Sequence, residues 1–154
     1  MRSSWVCDGG PVTFGWRYEF REREWSDVRT FLSEVTWRDN EGDYLFDIID
    51  SVFAAHADKA LAVTTSMHDL VIAPRPAADP PLDVVLVAAP GSVRGDADGT
   101  VRIDHIAVNG ANTEIERPAE EAVALFWKFL EIEFGIVRLD GNRRTSETKA
   151  KPRS

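Results

Sequence analysis

Three stretches of the chain predict an α+β fold, a mostly antiparallel sheet packed by a long C-terminal helix. Residues Pro118 to Phe134 place Ala122, Val123, Leu125, Phe126, Phe129, Leu130 and Phe134 at the three-and-four spacing of one helix face. Between Ala60 and Glu116 the apolar residues instead alternate or run in short blocks, as strands do. Ahead of them, Val12 to Ala57 reads as a strand followed by two helices. The order strand, helix, helix, several strands, helix does not build the alternating units of a parallel sheet.

Each element has its own signal. Val12, Phe14, Trp16, Tyr18 and Phe20 alternate with polar or small residues, which predicts a half-buried strand with an aromatic face. Ser26 is a candidate cap for a helix with the stripe Val28, Phe31, Leu32 and Val35. The run Arg38 to Asp43 is a turn, with Asn40 and Gly42 as its turn residues. A second helix is expected over Asp43 to Ala57, with Leu45, Ile49, Val52 and Phe53 inward and Asp47, Ser51 and Ala54 opposite.

Strands follow. Leu61, Val63 and Thr65 alternate, and Leu70 to Ile72 resumes after a turn through Met67, His68 and Asp69. The segment Ala73 to Pro81 carries four prolines and is expected to be a loop, because proline donates no ladder hydrogen bond. Asp83 to Ala88 is a short continuous apolar run, the pattern of a buried strand. In Thr100 to Val108 the apolar parity switches between Ile103 and Ile106, which predicts a bulge near Asp104 and His105. Asn109-Gly110 marks a turn, and Asn112 to Glu116 a short last strand. Pro118, Glu120 and Glu121 suit the start of the final helix, and Gly135 its left-handed stop.

A chain of 154 residues fits one domain, expected over residues 1–137. Its apolar share of 44% is enough for a real core. The last seventeen residues hold six basic and two acidic groups, so the net charge of −8 divides into +4 for residues 138–154 and −12 for residues 1–137. That tail lacks apolar periodicity and is expected to be disordered. An acidic body disfavours nucleic-acid phosphates and anionic lipid and attracts a basic partner. No apolar run approaches a membrane span, so a cytoplasmic protein is the expectation.

Signals for catalysis are weak. Cys7 stands alone, and His56, His68 and His105 share no metal-ligand spacing, so neither metal nor cofactor is expected. Asp96 to Thr100 spells the DxDGT string of phosphatases with an aspartyl nucleophile, but no buried strand precedes it and a hairpin turn is expected. One buried polar pair is conceivable. His56 and Glu133 each fall on the apolar side of a predicted helix, where an ionisable group needs a partner.

The binding signal is a cluster. Asp39, Glu41, Asp43, Asp47 and Asp50 gather around the start of the second helix with Trp37 and Tyr44 interleaved. Acids steer a basic partner and aromatics anchor it. The functional expectation is therefore an acidic protein-binding module, of the kind that inhibits a basic toxin or nuclease stoichiometrically. Two alternatives stand beside it. One is a small-ligand binder or enzyme with a pocket between sheet and C-terminal helix; the other is a homodimer or larger self-assembly using aromatic surface.

Overall fold

A computed structural model describes residues 14–92 and 99–138. Cys7, the first two residues of the predicted N-terminal strand, Asp96 to Asp98 of the DxDGT string and all of the basic tail after Arg138 lie outside the described residues.

The fold is α+β. Two helices, α1 (Trp25–Ser33) and α2 (Asp43–Ala54), precede five strands: β1 (Leu61–Ser66), β2 (Asp69–Pro74), β3 (Val84–Val87), β4 (Thr100–Ile106) and β5 (Thr113–Pro118). The strands form one antiparallel sheet in sequence order. The final helix begins as a 3-10 turn (Ala119–Glu121), continues as α3 (Ala122–Phe129) and widens into a π turn (Leu130–Phe134). Gly135, at φ 70°, ends it.

All three helices cover one face of the sheet. Their buried stripes, including Val28, Leu32, Leu45, Ile49, Phe126 and Leu130, meet Val63, Ile72, Val85, Val87, Val101 and Ile103 in one core. Two indoles lock the layer by hydrogen bonds. Trp25 Nε1 donates to the Leu61 carbonyl at 2.9 Å, and Trp127 Nε1 donates to Ser51 Oγ at 2.9 Å. Ser51, expected on the outer side of α2, is therefore buried because Trp127 needs an acceptor there.

The other face is covered too. Trp16 packs with Val71, Leu82, Val84 and Leu86 in a second core, flanked by Phe20 and Ile106. Here the predicted N-terminal strand is corrected. Residues after Phe14 make only two isolated bridges, Trp16 with Leu82 and Arg23 with Val63, and form no continuous strand. The segment spends its aromatics as a cover for the sheet rather than as an added strand.

Two-sided burial also removes the predicted bulge. The β4 register runs unbroken from Thr100 opposite Pro118 to His105 opposite Thr113. Val101 and Ile103 serve the helix-side core, and Ile106 serves the second core, so opposite parities are both inward.

Three helix boundaries shift. Glu24, not Ser26, occupies the N-cap of α1, and it makes no side-chain cap. Helix α2 stops at Ala54 because His56 turns to φ 56°, with Ala57 N bonded to the Val52 carbonyl and His56 N to the Phe53 carbonyl. That double closure is the Schellman arrangement, and the flanking Val52 and Ala57 are both buried. Pro118 completes β5 instead of opening the helix. No helix among the described residues is long and apolar enough to cross a membrane.

Candidate functional site

The acidic segment 37–50 spans the turn before α2 and most of that helix. All five of its expected acids, Asp39, Glu41, Asp43, Asp47 and Asp50, are exposed. Asp43, Asp47 and Asp50 recur at helical spacing and share an arc of about 60° on the outer side of α2. Asp39 and Glu41 stand exposed in the turn that leads into this helix, where Asp39 takes a left-handed conformation at φ 50°.

Two of the five are engaged locally. Asp50 accepts a forked pair of bonds from Arg29 of α1, at 2.8 and 3.1 Å. This pairing holds the Asp50 carboxyl below the usual aspartate range and pushes the Arg29 guanidinium up. Glu41 Oε2 accepts from the Arg38 backbone N–H at 2.8 Å and closes the turn. Asp39, Asp43 and Asp47 have no ion-pair partner among the described residues.

The two aromatics of the cluster face inward. Tyr44 is buried and donates its hydroxyl to the Ala88 carbonyl at 2.5 Å. Burial, helped by the charges of Asp69 and Glu41, drives its phenol well above the ordinary range, so it stays neutral. Trp37 is half-buried, donates Nε1 to the Leu32 carbonyl at 3.0 Å and lays its ring against Gly42. Both side chains fix the turn to the core, and neither is free to serve as a partner's anchor.

A cleft of about 460 Å³ opens beside this turn, with Asp39, Glu41, Tyr44, Ala88 and Thr100 in its walls. Arg38 and Arg102 also border it. The Arg102 charge is met by Asp104 and Glu114, each at 3.0 Å.

The second expectation, a polar pair of His56 and Glu133, is corrected by the fold. His56 is exposed at the end of α2, where its backbone forms the helix stop. Glu133 instead meets His105 of β4, with Oε1 3.2 Å from Nδ1. The His105 side chain is 7% exposed and that of Glu133 24%, and the Phe134 ring stands edge-on to the imidazole at 6.1 Å. Among the described residues neither imidazole nitrogen has a partner of hydrogen-bonding geometry.

His105 is hidden in the sequence because a bulge at Asp104 and His105 would turn the imidazole off the core face. Without one, residues 101, 103 and 105 share a parity and place the imidazole on the core face. The space between the sheet and α3, where a ligand pocket was an alternative expectation, is filled by Val101, Ile103, Phe126 and Leu130, all with almost no exposed surface. Among the described residues no group of three His, Cys, Asp or Glu side chains is arranged to hold a metal ion.

These features define an α+β protein with an acidic helical surface beside a cleft. No protein-family model matches the chain, and neither a curated protein nor a solved structure matches it.

Proposed function

We propose that the chain is a protein-binding module that receives a basic protein on the acidic surface of α2 and its leading turn, in the manner of a stoichiometric inhibitor. One observation carries this reading. Five carboxylates of one twelve-residue segment stand at the surface, and Asp39, Asp43 and Asp47 have no ion-pair partner among the described residues. Like charges held together at a surface cost stability and are relieved when a cationic surface arrives. Such a field raises the association rate of an oppositely charged protein, and salt suppresses the gain.

The test compares the full chain with an Asp43→Lys/Asp47→Lys variant as baits in a lysate of the source cells, at low and high salt. The proposal expects one basic protein bound at equimolar level, released by salt and absent from the variant eluate. Equal capture by both baits, or no basic protein on either, overturns it. Because both side chains are exposed, the variant's unfolding midpoint serves as the control for folding.

A further inference from the structure

A charged surface brings a partner close but supplies little burial, and Trp37 and Tyr44 are not available to anchor it. An anchor-sized groove lies one ridge away. It measures about 540 Å³, and its walls include Trp16, Tyr18, Thr64, Met67, His68 and Pro90. Ala89, Pro90 and Gly91 belong to this groove and to the Asp39/Glu41 cleft alike, so they form the ridge between the two. A buried carboxylate pins that ridge. Asp69 accepts from the Ala89 N–H at 2.7 Å and from the Ser92 hydroxyl at 2.9 Å.

Two groove residues are large apolar side chains left in water, Tyr18 at 66% and Met67 at 85% exposure. Met67 is the odder of them. It sits at φ 58° in the β1–β2 hairpin, a conformation where glycine or asparagine costs less. At that exposure Met67 gains little from burial among the described residues, whereas flexible thioethers suit surfaces that take a partner's apolar side chain. The hairpin tip is also tied to the acidic turn, since the His68 ring contacts Trp37 at 6.0 Å and Phe31 at 5.6 Å. Glu19 adds a further acid to the groove wall, shared with Arg21 at 3.1 Å.

We infer that the Tyr18/Met67 groove receives a large apolar side chain of an extended basic segment of the partner, while cationic residues of that segment cross the ridge to Asp39 and Glu41. This rests on the function proposed above and assigns that partner its anchor. The charge of the occupant follows from the four acids that line the two depressions, Asp39, Glu41, Glu19 and Asp69, against two cations, Arg38 and Arg102, and its extended form from the three residues' width of backbone between them.

The test follows backbone amide signals of the full ¹⁵N-labelled chain during titration with a capped pentapeptide, tryptophan flanked by two lysines on each side. A second peptide replaces the tryptophan with glycine. The tryptophan peptide should shift Tyr18, Met67, His68 and Gly91 together with Asp39 and Glu41. The glycine peptide should shift the acidic residues alone. Met67→Gly should weaken the tryptophan peptide about tenfold, the scale of one anchoring side chain, without lowering the unfolding midpoint.

If both peptides move Asp39, Asp43 and Asp47 while the groove stays silent, the groove assignment fails and the acidic-surface reading survives. If neither peptide moves either set, both fail. A concentration-dependent dimer that Met67→Gly abolishes overturns the inference by making a second copy of this chain the occupant.

Discussion

Glu133 Oε1 lies 3.2 Å from His105 Nδ1, joining the π turn at the end of the C-terminal helix to the core face of β4. His105 stands in a cross-strand row with Val63, Ile72, Val85 and Thr113, so the imidazole follows three aliphatic residues across the sheet. The π turn supplies the carboxylate that meets it. Glu133→Ala and His105→Leu, alone and together, should show a coupling of roughly 0.5–3 kcal/mol in denaturant unfolding, the range for groups in direct contact. Additive effects would mean that the pair contributes nothing beyond proximity.

Gly42 and Trp37 make a second interlock. A Cβ at Gly42 would come within 2.6 Å of the indole, although Gly42 itself has an ordinary negative φ of −93°. Gly42→Ala should therefore destabilise by about 1–3 kcal/mol through overpacking. A smaller residue in place of Trp37 should absorb much of that loss. The cycle of Gly42→Ala with Trp37→Phe, read by thermal unfolding, checks it, and strictly additive losses would exclude the steric cause.

His56 is expected to behave as a helix stop. At φ 56° and exposed, it holds a conformation that glycine adopts freely. His56→Gly should raise stability by up to about 1 kcal/mol, the left-handed penalty less the added chain entropy. Loss of stability on that substitution would mean that the imidazole makes a contact the fold needs.

The Arg29–Asp50 pair sets a small acid dependence. Its hydrogen bonds depress the Asp50 carboxyl relative to the unfolded chain, so the stabilisation is complete above the ordinary value of 3.8 and is lost as pH falls through the depressed one. Both side chains are about half exposed, which limits the effect to below about 1 kcal/mol. Asp50→Asn should thus lower stability slightly at neutral pH and converge with the parent in strong acid. A difference that persists at the acid extreme would point to packing instead of charge.

The acids of the candidate site were legible in the sequence because charged residues at helical spacing opposite an apolar stripe have only the surface to occupy. The aromatics were not. Trp37 and Tyr44 have the same chemistry whether they face a partner or the core, and what turned them inward was the nearby Gly42 backbone and the Ala88 carbonyl. Glu133 was flagged by its place in an apolar arc, yet its partner came from a strand twenty-eight positions earlier, across the helix–sheet interface. The Tyr18/Met67 groove left no sequence signal, since it is assembled from the N-terminal segment, a hairpin tip and the ridge after β3.

By itself the sequence determined the α+β class, the placement of the five sheet strands and the three helices to within a few residues, and the sign of the surface. Those follow from period, turn residues and charge, which act over a few neighbours. The tertiary structure decided that both faces of the sheet are covered, that Trp16 packs where a strand was expected, and that Glu133 meets His105. Each of these depends on which distant surfaces meet, because burial is settled by packing between elements and not by the spacing within one.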